Sequence, residues 1–416
     1  MNITNDTYDC IVMGAGPGGC TAAALVSARG HRTALVERVK MPQVKIGESL
    51  MPETYWIFEK LGILEEFQKL GFVRKNGVQF VSSSDKESQP FIFREHDDRD
   101  CAETWHVERA RFDQLLYETA SKNGATCMEE TRVMDVQFNN NGLHSVIVRG
   151  KGGKDKTLKT RVVVDATGQQ AMLANRMGTK QIDPDLKKAA IWSYFRGAQR
   201  NGGKNPEVTC ILHTNNKDAW FWYIPLSDDL VSVGLVGDND FLLKRNCKPE
   251  DAFKQEMANC PGIQRRLRDA RQEGKYLVAK EFSYTTTERV GDGWLLIGDA
   301  YGFIDPIYSS GVFLALKSAD MAAEAICDGL RSNDLSAERL GNWTYEFDAG
   351  VHWIRKLVHS FYTREFSFGQ FMKQYPQHGP NLTNLLIGRV FDGNPGVMFE
   401  DLDPWIEQVK SQAAGA

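Results

Sequence analysis

The feature that most constrains this fold is a glycine-rich segment near the start of the 416-residue chain. A β-rich run from Tyr8 to Met13 leads into GAGPGG, and the alanine-, leucine- and valine-rich TAAALVSARG that follows predicts a helix. A second β-rich run, RTALVER, carries Glu37 at its end. Strand, glycine turn, helix and strand in this order predict a parallel β–α–β unit, and hence an α/β fold.

The spacing of the glycines is typical of dinucleotide binding. Gly14, Gly16 and Gly19 form GxGxxG, in which the first permits a tight turn, the second lets backbone approach a pyrophosphate and the third allows close helix packing. The amino end of the helix then offers N–H groups to the phosphates. Glu37, 23 residues after Gly14, is the expected acceptor for ribose hydroxyls. The alternative is a glycine-rich turn that binds no ligand.

A second glycine turn lies far along the chain. Gly298-Asp299-Ala300 follows WLLI, the pattern of a buried strand. Two nucleotide-type turns this far apart point to FAD as the cofactor, with the adenine half at the first turn and the ribityl–flavin half at the second.

These turns, together with VERARFD, resemble the FAD-dependent monooxygenase superfamily with the p-hydroxybenzoate-hydroxylase-like fold. The resemblance covers about residues 5–330. It implies that Asp299 binds the ribityl chain or a phosphate and that Arg109 reaches the FAD phosphates. The chain has no second complete GxGxxG unit for NAD(P)H, and DATGQQAMLANR lacks the full signature of single-component aromatic hydroxylases. Reduced flavin is therefore expected from a separate flavin reductase.

The hexapeptide WFWYIP narrows the resemblance. Trp220 and Trp222 stand in the pattern WxWxIP, which is similar to the motif characteristic of flavin-dependent halogenases. Strand residues i and i+2 point the same way, so core packing is the alternative explanation. The halogenase motif and core packing are compatible if Trp220, Trp222 and Tyr308 form an active-site wall that keeps the substrate away from the flavin.

The halogenase resemblance also implies a lysine and a halide loop. RKNGVQF follows GES at about the halogenase spacing, and a lysine before xG is catalytic in that family. Lys75 is therefore the catalytic candidate, with Lys45 and Arg74 as rivals. In the loop DPIYSSG, the resemblance implies that backbone N–H groups of Ser310 and Gly311 bind halide near the flavin. The alternative for Lys75 is a solvated surface lysine. The alternative for the loop is that it only caps the following helix, with Gly311 in contact with FAD.

The predicted architecture is a Rossmann-like FAD-binding domain with a β-sheet substrate domain and a helical C-terminal region. The predicted boundaries are 1–184 for the first part of the FAD-binding domain, with a substrate-domain insertion near 76–105; 185–285 for the β-rich substrate domain; 286–334 for the second part of the FAD-binding domain; and 335–416 for the helical region.

Composition excludes several classes of protein. The chain is 42% hydrophobic and 25% charged, as in ordinary globular proteins, and its net charge of −4 argues against a nucleic-acid binder. It has no run of about 18 uncharged apolar residues and no basic-then-apolar start, so no membrane span and no signal peptide are expected. Eight scattered cysteines without metal spacing predict reduced thiols, no metal site and a cytoplasmic protein.

The predicted function is two-component, flavin-dependent halogenation in secondary metabolism. FADH2 and oxygen oxidise chloride or bromide, and hypohalous acid passes to Lys75, which delivers halogen to an aromatic carbon. The alternatives are a monooxygenase or ene-reductase of the same superfamily, and a flavin-binding protein without turnover.

The substrate is predicted to be an electron-rich ring. Tryptophan halogenases carry a glutamate where this chain has Tyr308, so a phenol or pyrrole is expected rather than free tryptophan. Whether the ring is free or tethered to an acyl carrier protein stays open. A predicted amphipathic helix at about 350–374 either docks an acidic carrier or forms a solvated face; its cations are Arg355, Lys356, Arg364 and Lys373.

Overall fold

The computed structural model describes residues 6–139, 142–200, 207–215, 217–227, 229–244, 247–280, 283–364 and 366–414. In the first part of the chain, strands and helices alternate. They are β1 (Thr7–Met13), α1 (Pro17–Ala28), β2 (Thr33–Val36), α2 (Thr54–Leu61), α3 (Leu64–Leu70), β3 (Val73–Lys75), β4 (Gly77–Val81), β5 (Phe91–Ile92), β6 (Thr104–His106), α4 (Arg109–Lys122), β7 (Thr126–Met128), β8 (Arg132–Gln137), β9 (His144–Arg149), β10 (Asp155–Asp165), α5 (Met172–Met177) and β11 (Lys180–Ile182).

The second part begins with long strands and ends in helices. The elements are β12 (Lys188–Arg196), β13 (Val208–His213), β14 (Ala219–Pro225), β15 (Leu230–Asp238), α6 (Asn239–Leu243), α7 (Pro249–Ala258), α8 (Pro261–Leu267), β16 (Arg271–Lys280), β17 (Tyr284–Thr286), β18 (Val290–Gly291), β19 (Trp294–Leu296), β20 (Gly302–Phe303), α9 (Ser310–Ser332), α10 (Ala337–Leu340), α11 (Thr344–Tyr362), α12 (Phe368–Gln374), α13 (Gly379–Ile387) and α14 (Met398–Ala414).

The predicted β–α–β unit forms the centre of the first sheet. Its strand order is β18-β19-β10-β1-β2-β7, with β9 beside β10 and β8 beside β9. Strand β1 runs parallel to both β10 and β2. Helix α1 packs against α4 and α9, so the centre of the sheet is covered and residues 10–13 of β1 are fully buried. Because these parallel strands end at one edge, their following loops meet there.

The second sheet is mostly antiparallel and apolar on both faces. Its order is β16-β12-β15-β14-β13-β4-β5. Along β14, Trp220 and Trp222 belong to the main core, whereas Phe221 and Tyr223 belong to a second cluster with Phe253 of α7. The period-2 alternation of a strand thus divides WFWYIP between two different apolar layers. The same alternation places both tryptophans toward the first sheet.

Two details differ from the sequence prediction. Residues 239–267 contain α6, α7 and α8, inside a region that strand patterns marked as β-rich; these helices cover the outer apolar face of the second sheet. Residues 54–70 form two helices, separated at Gly62, which ends α2 with φ +70°. The predicted helix over 350–374 is also interrupted, between the end of α11 and the start of α12.

One main hydrophobic core joins both sheets and the C-terminal helices. It includes Val12 of the first sheet, Trp222 of the second and Leu402 of α14. The predicted α/β class with a β-rich sheet and a helical C-terminal region is confirmed, while the domain boundaries stay a prediction because the core crosses them. Within the described residues, no helix has the length and apolar character needed to cross a membrane.

Candidate active site

A cavity of about 520 Å³ lies between the two sheets. One side is formed where β1, β2 and β10 end, at Met13, Val36 and Ala166. The opposite side is the inner face of the second sheet, with Trp192 and Trp222. This is the position and size expected of a cofactor or substrate pocket in an open α/β fold.

The glycine turn after β1 forms a cradle in this cavity. Gly14 has φ +102°, and a Cβ there would lie 2.4 Å from the carbonyl oxygen of Ala166. A Cβ on Gly19 would lie 1.9 Å from the carbonyl oxygen of Gly14, so α1 needs a glycine to approach the turn. A Cβ on Gly16 would meet no atom within 4 Å, because Gly16 faces open space in the cavity. Gly14 and Gly19 therefore shape the turn, and Gly16 leaves room for a ligand.

Glu37 fixes the turn from the side. Its Oε2 accepts a hydrogen bond from the N–H of Ala15 at 2.8 Å, and its Oε1 accepts one from the N–H of Val39 at 3.1 Å. The carboxylate is buried and lines the cavity at the end of β2. This is the place predicted for a ribose acceptor.

Arg109, at the start of α4, crosses to the segment before α2. Its guanidinium forms an ion pair with Asp113 at 2.9 Å and donates to the carbonyl oxygen of Ile46. Gly47 has φ +104°, and a Cβ there would lie 2.8 Å from the Arg109 guanidinium. Burial raises the pKa of Asp299 to about 6, against the opposing effect of the nearby Arg109 charge. Arg109 and Asp299 both line the cavity, so a cation and a carboxyl group face the same ligand space.

The cavity also contains orphaned polar atoms. Glu48 Oε1 accepts a hydrogen bond from the Tyr194 hydroxyl at 2.7 Å, but Glu48 Oε2 has no partner among the described residues. The indole N–H of Trp192 likewise has none within the described part of the chain. Burial raises the pKa of Glu48 to about 7. A buried acceptor and a buried donor beside one cavity are expected where a bound group supplies their partners. Together with the glycine cradle, these residues fit FAD.

Lys75 does not line the cavity, but its amine contacts Leu50, the residue that follows the lining residue Ser49. Strand β3 pairs with β6, and the side chain of Lys75 is only 2% exposed. Its Nζ donates to the carbonyl oxygen of Leu50 at 2.9 Å and lies 5.5 Å from the centre of the Phe93 ring. Burial lowers the pKa of Lys75 to about 7. The amine is thus held in a form that loses its proton near neutral pH.

The two rival cations have different environments. Arg74 stacks on Trp105 at 4.8 Å, and neighbouring residues of a strand point to opposite faces, so Arg74 points away from the side of Lys75. Lys45 lines the cavity. The short segment 46–50 joins these groups, because Ile46 accepts from Arg109, Glu48 faces the cavity and Leu50 accepts from Lys75.

The predicted halide loop precedes α9. Ser309 has φ +59° and caps the helix, which starts at Ser310. Ser309 and Gly311 line the cavity, whereas Ser310 is buried. A Cβ on Gly311 would lie 2.9 Å from the Phe303 ring, so a larger residue at this position would have to displace that ring. The free N–H groups of the first helical turn are available to an anion.

The predicted wall is divided. Trp220 and Trp222 line the cavity with ring centres 6.4 Å apart. Tyr308 lies outside the cavity lining, and its ring packs against Phe361 and Phe368 of the C-terminal region. Its hydroxyl donates to a backbone carbonyl of α11 at 3.5 Å. Burial raises the pKa of Tyr308 well above its usual range, so this phenol stays neutral.

Sequence reasoning missed three members of this region. Glu48 belongs to the GES segment and Asp305 to the DPIYSSG loop, but neither pattern shows that these carboxyl groups are buried or hydrogen-bonded. Tyr362 lay in a stretch interpreted as amphipathic, and its hydroxyl lies 3.0 Å from Asp305 Oδ2. The aromatic run SFYTR is a sequence signal for Tyr362 alone, and no local pattern indicates the contacts of Glu48 and Asp305.

The fold and the cavity are those of an FAD-dependent enzyme, and comparison with known proteins identifies it as a flavin-dependent halogenase. The chain belongs to the tryptophan halogenase family, whose family model matches residues 9–97 and 93–368. It is 31% identical to the 1H-pyrrole-2-carbonyl-[peptidyl-carrier protein] brominase of Pseudoalteromonas luteoviolacea, over 93% of each chain. It is 28% identical to the corresponding chlorinase of Pseudomonas fluorescens, over 98% of this chain and 95% of that protein.

Solved structures give the same picture. A flavin-dependent brominase matches with a TM-score of 0.86 and 28% identity, over 97% of this chain and 100% of that one. The myxobacterial chondrochloren halogenase, described as a variant of FAD-dependent halogenases, matches with a TM-score of 0.81 and 32% identity, over 86% of this chain and 83% of that one. The enzyme is thus a flavoprotein and an oxidoreductase; the roles of its individual residues stay predictions.

Proposed function

We propose that this halogenase transfers chlorine or bromine to an electron-rich phenol or pyrrole, with hypohalous acid relayed by Lys75. The observation that carries the proposal is the lysine itself. It is buried, its pKa is lowered to about 7, and it lies one short segment away from the cavity that holds the glycine cradle. A solvated surface lysine would have none of these properties.

FAD would lie in the cavity between the sheets. Gly14, Gly16 and Gly19 would receive the pyrophosphate, Glu37 the ribose, and Arg109 and Asp299 the remaining phosphate and ribityl groups. When bound and reduced, FAD supplies with oxygen the oxidising equivalents that turn halide into hypohalous acid. The protein's part is to place halide and exclude water beside it.

Halide would bind at the start of α9. The N–H groups of Ser310 and Gly311 offer a partial positive charge without a cationic side chain. Such a site attracts chloride or bromide and leaves the anion reactive, because no strong ion pair holds it. The orphaned backbone donors of a 23-residue helix support this assignment.

Lys75 would carry the electrophilic halogen. In its neutral form the amine reacts with hypohalous acid to give a haloamine and water, so an N–H bond is exchanged for an N–halogen bond. Transfer to the ring then gives the aryl halide and returns the ring proton to the amine nitrogen. If Lys75 only hydrogen-bonds the acid, the ring and hypohalous acid give aryl halide and water directly. The lowered pKa suits the first route, which needs a neutral amine.

The environment of Tyr308 supports an activated ring as the substrate. A neutral phenol that packs against Phe361 and Phe368 offers no negative charge to an indole intermediate. A phenol or pyrrole needs less help, because its own oxygen or nitrogen stabilises the positive charge. Two relatives are named for a pyrrole on a peptidyl carrier protein, which supports pyrrole and a tethered substrate.

Docking of an acidic carrier on the 350–374 stretch is less well supported. Arg355 is ion-paired with Asp183 at 3.1 Å, and Lys356 is ion-paired with Asp403 at 2.5 Å. Only Arg364 and Lys373 remain as exposed cations of that stretch without an ion pair in the described residues. We therefore place no carrier on this surface.

A product assay tests the proposed function. The protein is given FAD, a separate flavin reductase with NADH, oxygen and either chloride or bromide, and a phenol, a pyrrolyl carrier protein and tryptophan compete at equal concentration. We expect a mass shift of one halogen on the phenol or pyrrole and little on tryptophan. A hydroxylated product without halogen would instead support a monooxygenase, and preferential halogenation of tryptophan would contradict the substrate class.

The two-component arrangement has its own control. Protein, FAD and NADPH are mixed anaerobically without a reductase, and the flavin absorbance is followed. We expect it to persist, and rapid bleaching would contradict the need for a separate flavin reductase.

A further inference from the structure

Three side chains from distant segments form a hydrogen-bonded chain beside the active-site cavity. The Trp220 Nε1 atom lies 3.0 Å from the Tyr362 hydroxyl, which lies 3.1 and 3.0 Å from Asp305 Oδ1 and Oδ2. Trp220 belongs to β14, Tyr362 ends α11, and Asp305 lies in the loop before α9. We call these three residues the brace.

The direction of the hydrogen bonds in the brace is fixed by chemistry. An indole nitrogen can only donate, so the Tyr362 oxygen accepts from Trp220. The single proton of the Tyr362 hydroxyl is then directed to Asp305. The Tyr362 hydroxyl can donate this proton to either carboxyl oxygen of Asp305, because both lie within hydrogen-bond distance.

Asp305 also forms a hydrogen bond within the loop that follows it. Its Oδ1 also accepts from the N–H of Ile307 at 2.9 Å, which fixes the turn that leads to Ser309. Ser309 has φ +59°, a conformation that a serine adopts at some cost and that neighbouring contacts must hold. The N–H groups of the proposed halide site follow directly after it.

We propose that Tyr362 and Asp305 set the conformation of the halide loop, residues 306–311, and that the C-terminal helix α11 is thereby part of the halide site. This inference rests on the proposed function, because it takes chloride or bromide as the anion that binds there. Tyr362 and Asp305 act as positioning residues, since they act through the loop and need not touch the halide.

The charge of Asp305 has a separate effect. Burial raises the pKa of Asp305 to about 7, opposed by the N–H of Ile307, the Tyr362 hydroxyl and the Lys188 charge. Lys188 lies 4.1 Å from the centre of the Tyr362 ring and is ion-paired with Asp238 at 2.7 Å. Tyr308, the other titratable group of the loop, is held neutral. As pH rises through about 7, Asp305 gains a negative charge near the halide, and halide affinity should fall.

Two substitutions separate the bond from the charge. Tyr362→Phe removes the hydroxyl and keeps the ring beside Lys188. Asp305→Asn keeps an oxygen that accepts from Ile307 and Tyr362, but carries no charge. Tyr223→Phe is the matched control, because Tyr223 is buried in the same strand as Trp220, faces the other core and donates to the carbonyl oxygen of Gln199 at 2.6 Å.

The experiment titrates bromide into the FAD-loaded protein without reductant and follows flavin fluorescence from pH 6 to 8.5, at constant ionic strength. We expect Tyr362→Phe to weaken bromide binding roughly tenfold above pH 7, where the lost hydrogen bond is to a charged carboxylate, and by less at pH 6, where Asp305 is protonated. Asp305→Asn should match the wild type at pH 6 and lack its loss of about fivefold at pH 8.5. Tyr223→Phe should follow the wild-type curve.

The outcomes distinguish this inference from the proposed function. A wild-type protein that neither responds to bromide nor forms halogenated product overturns the halide site, and the brace with it. Wild-type binding with unchanged affinity in Tyr362→Phe overturns the brace alone. If Tyr362→Phe loses FAD or melts far below Tyr223→Phe, the test depends on how bromide affinity changes with pH in Asp305→Asn. A pH dependence equal to that of the wild type would then overturn the inference.

Discussion

The two sides of the cavity are built in different ways. On the side of the first sheet, ligand space is created by backbone, because Gly14, Gly16 and Gly19 leave room where any side chain would fill it or collide. On the side of the second sheet, space and chemistry come from side chains, with Trp220 and Trp222 in the cavity lining and the buried Lys75 outside it. The first side suits a cofactor that many enzymes share. The second side can change its reaction by a few substitutions, which is why fold alone does not give function.

The largest expected effect concerns the glycine cradle. Gly14→Ala places a Cβ 2.4 Å from a backbone oxygen at φ +102°, so we expect a loss of several kcal/mol of stability, about 3 or more. Gly16→Ala places its Cβ in open space and should leave thermal unfolding unchanged while weakening FAD binding by about tenfold. Calorimetry and FAD titration of both variants measure this. Equal melting temperatures would contradict the division of roles between the two glycines.

The next effect concerns the pH dependence of Lys75. Its pKa is lowered from 10.5 to about 7, so the neutral amine increases about tenfold per pH unit below pH 7 and then levels off. At saturating halide, the yield of halogenated product per flavin oxidised should follow the same curve. A yield that falls as pH rises from 6 to 8 would contradict a neutral-amine carrier.

The same shift has a consequence for stability. The folded protein binds fewer protons than the unfolded chain between pH 7 and 10.5, so Lys75 costs stability at neutral pH and this cost disappears as pH rises toward 10.5. Lys75→Met should therefore raise the free energy of unfolding at pH 7 by more than at pH 10. Denaturant unfolding at both pH values measures the difference, and an equal change at both would show that the lysine is not held at a lowered pKa.

The smallest effect concerns the tryptophan wall. A Cβ on Gly234 would lie 2.1 Å from the Trp222 ring, so Gly234→Ala should push the indole and break its 3.1 Å hydrogen bond to Ser232. We expect FAD binding to remain and product yield to fall about fivefold, since a displaced wall costs roughly 1 kcal/mol of positioning. Gly237→Ala is the control in the same strand, because its nearest contact would be 3.2 Å and lies beside Ala219. Equal yields in both variants would mean that Trp222 only fills the core.

The two sides also differ in how far the sequence could predict them. The cradle follows from a local pattern, because Gly14 adopts a positive φ and a Cβ on Gly19 would collide with the carbonyl oxygen of Gly14 in the same turn. Lys75 was identified only by family resemblance, since burial of a lysine in β3 depends on packing by Phe93 and the loop at Leu50. The brace joins residues 220, 305 and 362, which no local pattern connects. Tyr308 was expected on the wall, but the aromatic residues of α11 and α12 bury it outside the cavity.

The most direct test of the central claim separates flavin oxidation from halogen transfer. Wild type, Lys75→Ala and Lys45→Ala are supplied with the same reduced FAD, oxygen and bromide, and oxidised flavin and brominated ring are counted in one reaction. We predict that Lys75→Ala oxidises flavin and binds FAD as the wild type does, yet forms less than a few per cent of its product. Lys45→Ala should retain product in proportion to the FAD it binds. Brominated product near the wild-type level from Lys75→Ala would contradict the assignment of Lys75 as the halogen carrier.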